Sequence, residues 1–395
     1  MARIADIRSL RAAQRPSPPD LVRWSLGLLS YGRVRLSLRV DGGEVVEGVE
    51  DYWALLALGC RSAPVSDGER EVVDVPLEAL GFYDEVSGEG PRVYADVLAL
   101  LRGDRPTPLV MVKKVGEARI WAKLEWYNPL SLSIKDRTAL NMVDWSSEDV
   151  RGRRVYEASS SNTGVALAAL SRLYGFTARI YIPETAEPFG PELARLLGAE
   201  VVVKGGSTSE LRPLVEEEAR RDGAIVLNQF QNYLNPLAHI RWTAKEIDYQ
   251  SRMGGLRLRA VFVTMGTGGH AAGVATYFAL RRPEVRVVGV QPAEGSSIPG
   301  IKRQVDWPWG QLQRPREVIE VSDEEALRVS IGLAREVGLL FGPSGGAALA
   351  AALRSISGEE GDYVIVVPDH GVKYLRLYSE FLGQGSVGLS AKGPR

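Results

Sequence analysis

From about residue 106 onward the chain repeats one unit: a short run rich in β-branched and aromatic residues, a turn, then an amphipathic helical stretch. The strand-like runs are RIWAKLEW (119–126), RVYEA (154–158), ARIYIP (178–183), AEVVVK (199–204), AIVLN (224–228), AVFVTM (260–265), VRVVGVQP (285–292) and YVIVVP (363–368). Most are apolar nearly throughout instead of alternating with polar residues, as strands covered on both faces are. Helical patterns at 164–175, 190–198, 208–222, 236–251, 270–281, 323–337 and 345–356 lie between them. This alternation predicts an α/β body, a parallel sheet with helices on both faces. Start signals agree: Ser207 or Thr208 can cap one helix, and Ser322 precedes the acidic first turn Asp323, Glu324, Glu325 of another. Residues 1–105 read differently, with RPSPPD punctuation, one β-like run RVRLSLRV (33–40) and a polar stretch at 62–74. They form an N-terminal extension that covers or joins the body.

With 395 residues, 45% hydrophobic and 25% charged, the chain can bury the cores of two or three domains. Its formal net charge is −1 with both signs interleaved, so it has no basic field for nucleic acid or an anionic membrane. The opening MARIADIRSLRAAQR lacks an apolar signal core, and no later stretch reaches about 18 uncharged apolar residues, which predicts a cytoplasmic protein. The single cysteine, Cys60 in YWALLALGC, excludes an intramolecular disulfide and a cysteine metal cluster, and reads as an inert buried thiol. His239, His270 and His370 are far apart and lack HExxH spacing, so no metal is expected.

Four segments carry chemistry. In NPLSLSIKDR (128–137) Lys135 stands where strand gives way to helix, with Ser131 or Ser133 available as cap. A cation in a first turn opposes the helix dipole, and burial would further favour the neutral amine that a nucleophilic lysine requires. The bland reading is a surface lysine paired with Asp136 or Glu125. EASSSNTGVALA (157–168) runs from strand through small hydroxyl residues into helix, offering more amides and hydroxyls than a cap uses and suiting a carboxylate. In VFVTMGTGGHAAGVA (261–275) Gly266, Gly268 and Gly269 let the backbone approach a phosphate under the helix dipole. The same residues fit a dinucleotide G-x-G-x-x-A pattern, but Gln291 ends the next strand where Asp or Glu would hold a ribose, which disfavours NAD. FGPSGGAALA (341–350) fits the G-x-S-x-G nucleophile elbow with Asp362 and His370 following, so a serine hydrolase using Ser344 competes. That reading has one good strand after Ser344 and leaves Lys135, the serine run and the phosphate cradle without a role.

In this order, from Thr107-Pro108-Leu109 to about residue 380, the four segments resemble the fold-type II pyridoxal 5'-phosphate (PLP) enzymes, specifically the cysteine synthase family. The resemblance implies two doubly wound α/β domains with the cofactor between them. The large one comprises 106–145 and 241–395, the small mobile substrate domain 146–240, and 1–105 is the N-terminal extension. It further implies that Lys135 is the Schiff-base lysine, and that Gly266, Thr267, Gly268, Gly269 and His270 form the phosphate loop. Asn162 would meet the cofactor's 3-hydroxyl and Ser344 its pyridine nitrogen. Ser159, Ser160, Ser161 and Thr163, helped by Gln229, would grip the substrate carboxylate. A serine cannot hold the pyridine nitrogen protonated as an aspartate can, which favours β-elimination and β-replacement over transamination or racemisation.

KLEWYNPLSLSIKDR, His270 in place of a hydroxyl residue, VQPAEGSSIPGIKR and the long N-terminal region resemble the archaeal O-phosphoserine sulfhydrylases. The implied reaction makes L-cysteine from O-phospho-L-serine, and also from O-acetyl-L-serine, with sulfide through an aminoacrylate. Lys302 and Arg303 would receive the phosphate leaving group, with lysine at 302 where the archaeal pattern has arginine. Serine or threonine dehydratase, cystathionine β-synthase and threonine synthase chemistry are the neighbouring readings. A homodimer is implied, with YWALLALG (52–59) as part of its interface.

Overall fold

Six strands make the larger sheet, in the order Glu317–Val321, Arg286–Pro292, Leu258–Thr264, Gly361–Val367, Ala118–Leu124, Leu109–Val115. The first five are parallel and Leu109–Val115 closes the edge antiparallel. A second, wholly parallel sheet has the order Glu200–Lys204, Thr177–Pro183, Arg154–Ala158, Ile225–Val226. The computed structural model describes residues 2–88, 91–304, 306–357 and 359–384. Helices cover both faces of the central strands, so Gly361–Val367 is buried at every position and needs no polar side.

All eight strand-like runs of the sequence are strands, AIVLN shrinking to Ile225–Val226. Leu109–Val115 and Glu317–Val321 were not anticipated, because edge strands carry solvent-facing charges that break the apolar run. Ser207 closes a capping box with Glu210, and Ser322 accepts from the Glu325 amide. The stretch 236–251 belongs to one continuous helical run: Leu234–Ala238, a π-helical His239–Ala244, and Lys245–Met253.

The N-terminal run RVRLSLRV is two strands. It breaks at buried Ser37, whose hydroxyl donates to Ser66 Oγ (3.0 Å) and accepts from the Glu71 amide (2.8 Å). Arg33–Leu36 then pairs with Val72–Pro76, while Leu38–Asp41 joins a separate sheet with Arg3–Asp6, Ser62–Ser66 and Glu44–Glu47. YWALLALG does not present an interface. It lies in and just after the helix Val49–Ala57, with Tyr52, Trp53, Leu55 and Leu58 buried in a core continuous with that of the body, Trp53 against Trp145 (ring centroids 5.8 Å). Cys60 follows it, buried, its thiol pushed up to about 12 by desolvation.

Polar groups of the body reach across to the N-terminal module. Lys245 Nζ donates to the Leu58 and Phe82 carbonyls (2.6 and 2.8 Å), Arg241 makes a two-pronged pair with Glu85 (2.9 and 2.6 Å), and Tyr83 OH donates to Asp248 (2.7 Å). Beside this junction lies a fully buried charge cluster. Arg137 donates to Glu125 through Nε (2.6 Å) and Nη2 (2.9 Å) and to Glu246 through Nη2 (2.8 Å), while Lys123 Nζ donates to Glu246 (2.6 Å) and to the Thr107 carbonyl (2.6 Å). Desolvation opposes each charge, but the two carboxylates hold Arg137 above its ordinary range. Removing this cation leaves the buried Glu125 carboxylate without an ion-pair partner and Glu246 with Lys123 and, at 3.5 Å, Arg105, so Arg137→Ala is expected to destabilise the protein by about 3–5 kcal/mol. Denaturant midpoints of variant and parent check this; a change under about 1 kcal/mol, the scale of a surface pair, would contradict it.

Candidate active site

A cleft of about 520 Å³ opens where the carboxyl ends of both sheets face each other. Parallel α/β sheets place ligands at strand carboxyl ends, because side chains and helix N-termini converge there. Lys135 follows Ala118–Leu124, the serine run follows Arg154–Ala158, residues 266–269 follow Leu258–Thr264, and Asp369 follows Gly361–Val367.

Lys135 opens the helix Lys135–Trp145 without a side-chain cap on the preceding residue; its amide is instead received by Ser133 Oγ (3.1 Å). Both acidic neighbours that could have paired with it are engaged. Asp136 accepts the Leu130 and Ser131 amides (2.7 and 2.9 Å), and Glu125 is bound to Arg137. Among the described residues Lys135 forms no ion pair. Desolvation, and then the like charge of Lys302, push its amine down to about 8 against the pull of Asp369.

The serine run opens the helix Asn162–Tyr174. Ser159 Oγ accepts the Gly164 amide (2.9 Å), and Thr163 Oγ1 donates to Gln229 Oε1 (2.7 Å). One serine thus serves the helix, while Ser160 and Ser161 also line the cleft. Gln229 is held from behind by Glu157, which is buried and accepts the Asn228 and Gln229 amides (2.8 and 3.3 Å). Burial pushes the Glu157 carboxyl up to about 7. Asn162 also lines the cleft, with its amide nitrogen on Asp369 Oδ2 (2.8 Å) and its amide oxygen on Lys373 Nζ (2.7 Å).

Gly266, Thr267, Gly268 and His270 form the facing wall, and Gly269 sits behind them against Asn235. A Cβ at Gly266 would lie 2.5 Å from the Gly300 carbonyl, and Gly268 has φ +81, so side chains are excluded on the packed side of this turn. His270 is buried with Nε2 unpartnered among the described residues; desolvation and the nearby Lys135 push it down to about 4, so it is neutral. Asp369 Oδ1 is likewise buried without a partner. A glycine turn at a helix start and an unpaired low-pKa amine on one cavity, lined also by His270 and Asp369, fit a group carrying both a phosphate and an aldehyde. Lys135 suits the aldehyde, residues 266–269 the phosphate, and Ser344, buried at the start of Pro343–Ser355, a ring nitrogen.

Lys302 and Arg303 part company. The segment runs beside the phosphate turn, with the Lys302 amide on the Met265 carbonyl (2.8 Å). Lys302 Nζ reaches Ser209 Oγ (2.8 Å) over the Phe230 ring (4.9 Å), inside the cleft. Arg303 points the other way and pairs with Glu320 (2.9 Å), so the expectation that both serve one anion is corrected. Successive residues of an extended segment face opposite sides. Asp369, Lys373, Phe230 and Ser209 were not singled out in the sequence, and Ser207 and Thr208 were read only as helix caps; position after a strand carboxyl end was the available signal for Asp369 and Phe230.

The hydrolase constellation does not assemble. Asp362 lies at the amino end of its strand, where it accepts from Trp121 Nε1 and the Arg257 amide (both 2.7 Å), whereas His370 lies past the other end. A strand of this length separates them by about 20 Å. His370 packs edge-on to Trp126 and accepts the Val372 amide on Nδ1 (3.0 Å).

Residues 100–369 match the family model described as "Pyridoxal-phosphate dependent enzyme". Cysteine synthase B of Escherichia coli (strain K12) is 34% identical over 284 residues, covering 68% of this chain and 91% of that protein. Cysteine synthase B of Pseudomonas aeruginosa is 36% identical over 284 residues, covering 68% and 93%. Among solved structures, an O-acetylserine dependent cystathionine beta-synthase from Helicobacter pylori superposes with a TM-score of 0.63 at 28% identity, covering 68% of this chain and 94% of that one.

Only the neutral amine is acylated. Modification of Lys135 in cofactor-free protein is therefore expected to rise with pH to half its plateau near its pKa of about 8. Exposed lysines reach theirs nearer their ordinary pKa of about 10.4. Peptide mass spectrometry across a pH series reads both, and a Lys135 midpoint coincident with the exposed lysines would refute the desolvated amine.

Proposed function

The chain belongs to the pyridoxal-phosphate dependent enzymes as a cysteine-synthase-like member, and on that premise we propose that it makes L-cysteine from O-phospho-L-serine and sulfide. Overall, the Cβ–O bond of the activated serine breaks, a Cβ–S bond forms and inorganic phosphate leaves. Bound PLP supplies an electron sink that acidifies the α-hydrogen of an amino acid and loosens its β-substituent.

The chain's own residues do the rest. Lys135 would hold the cofactor aldehyde, and its Nζ, pushed down to about 8, is the base placed to take the α-proton. Ser160, Ser161 and the Thr163–Gln229 pair orient the substrate carboxylate at the start of the helix Asn162–Tyr174, where amides and dipole favour an anion. Ser344, which lines the cleft, would meet the ring nitrogen with a hydroxyl in place of a carboxylate, and that would keep the chemistry at the β-carbon.

One observation carries the choice of phosphoserine: the Lys302 ammonium lies in the cleft on Ser209 Oγ, beside the first turn of the helix Thr208–Asp222. A departing phosphate needs a cation and N–H donors, and both are available there. Desolvation and the nearby Arg212 lower the Lys302 pKa, so its charge is held at some cost and an incoming dianion would relieve it. O-Acetyl-L-serine is the second reading, favoured by the likeness to the O-acetylserine dependent enzyme and needing no cation for its leaving group.

Steady-state turnover of each substrate with sulfide decides between them. Lys302→Ala is expected to lower kcat/KM for O-phosphoserine by about 10- to 100-fold, the worth of a charged hydrogen bond, with little change for O-acetylserine. Arg303→Ala should leave both near the parent. Equal losses on both substrates after Lys302→Ala would remove its phosphate role, and keto acid released without sulfide would point to a dehydratase instead.

A further inference from the structure

We propose that Asn235 is a positioning residue that locks the carboxylate side of the cleft, its phosphate turn and the lysine helix into one register. The inference rests on the reading of the cleft as a PLP site. Asn235 lies in Leu234–Ala238, is fully buried, and does not face the cleft itself. Its side-chain amide reaches three separate elements. Nδ2 donates to the Gln229 carbonyl (2.7 Å) and to Thr267 Oγ1 (3.0 Å), and Oδ1 accepts from Thr138 Oγ1 (3.1 Å).

Each of those partners is one step from a candidate ligand group. Gln229 carries the Thr163 hydroxyl on Oε1 and donates through Nε2 to the Ala158 carbonyl (3.1 Å), so its backbone sets the serine-run side. Thr138 is one helical turn after Lys135. Thr267 lines the cleft, and its Oγ1 accepts the Gly269 amide (3.3 Å) as well as Asn235 Nδ2. With both lone-pair directions of Oγ1 taken by N–H donors, the Thr267 hydrogen is left to point away from them, as a donor to an anion at the turn.

The site accepts asparagine and little else. A Cβ at Gly269 would lie 2.5 Å from the Asn235 amide, so the amide packs directly against the glycine backbone of the phosphate turn. Aspartate would keep the bond from Thr138 but would set acceptors against the Gln229 carbonyl and Thr267 Oγ1, forcing the threonine to turn its hydrogen inward. Alanine would leave the Gln229 carbonyl and two hydroxyls short of partners.

The test compares Asn235→Asp and Asn235→Ala holoenzymes with Thr267→Val and with the parent. Three quantities are read: the rate at which the visible cofactor band is lost on dilution, KM against kcat for the activated serine, and the melting temperature. Both Asn235 variants are expected to lose cofactor about tenfold faster and to raise KM about tenfold, the factor one lost hydrogen bond of ~1.4 kcal/mol gives, while Thr267→Val moves cofactor retention alone. A lower melting temperature with cofactor retention and KM both unchanged would reduce Asn235 to a structural residue and overturn the proposal, as would an Asn235→Asp enzyme indistinguishable from the parent. If Asn235→Asp does not fold, Asn235→Ala gives the same pair of readings. Failure of the PLP reading is separate: it shows as a parent protein that develops no visible band with PLP.

Discussion

Arg137, enclosed by Glu125 and Glu246 with no access to water, determines more of this molecule than any single apolar contact. Arg137 lies in the helix that begins two residues earlier at Lys135, and its two carboxylate partners come from the end of a sheet strand and from the helix Lys245–Met253. A buried ion pair gives little net stability over a well-packed apolar equivalent, but it tolerates almost no displacement, because each charge is costly unless met. The cluster therefore fixes the angle at which the lysine helix leaves the sheet. It also removes Glu125 as a counter-ion for Lys135, just as the Leu130 and Ser131 amides remove Asp136. What makes Lys135 a low-pKa amine is thus its neighbours' commitments to other groups as much as burial itself.

How far the sequence exposed this follows from the range of the interactions. Strand and helix identity rest on local periodicity, so the parallel core, the Ser207 and Ser322 caps and the glycine turn were all readable. So was the convergence of Lys135, the serine run and the turn, since each follows a strand-like segment and strand carboxyl ends meet, whereas Ser344 follows a helix and was placed with them only by the family resemblance. Direction and partnership were not readable. Lys302 and Arg303 are equal as letters; only the backbone bond from Lys302 to Met265 sets which of them faces the cleft. RVRLSLRV has the pattern of one strand, and its break at Ser37 depends on Ser66 and Glu71, about 30 residues away. YWALLALG was assigned to a dimer interface because the segments that bury it within the chain are distant in sequence.

Ser344 and His370 show the opposite error, a local pattern with no long-range support. The elbow motif specifies a turn, but a hydrolase also needs its acid at the same strand end as its histidine. Asp362 sits at the wrong end of its strand, tied to Arg119, Trp121 and the Arg257 amide. The group that does stand beside His370 is Asp369, with one oxygen on Asn162 and Tyr374 and the other unpartnered. A carboxylate so placed can organise a polar ligand without relaying a proton through histidine, and the same residues that mimic a triad serve a different chemistry.

The N-terminal module reaches the same machinery from behind. Leu234–Met253 is one continuous helical run, with Asn235 in its first turn, His239 and the π-helical turn in its middle, and Lys245, Glu246 and Asp248 in its last part. The module grips that last part through the Leu58 and Phe82 carbonyls on Lys245 and through Tyr83 on Asp248, and Glu85 holds Arg241 within the π-helical turn. A π-helical turn carries one more residue than an α-turn and is poorly stabilised on its own, so it persists where both flanks are held. Here the module holds one flank, and the Asn235 amide and the His239 bonds to Thr138 and Thr243 hold the other. Residues remote from the cleft are thereby linked to the helix that bonds the Gln229 carbonyl, Thr267 and the lysine helix, although among the described residues none of the N-terminal extension lines the cleft.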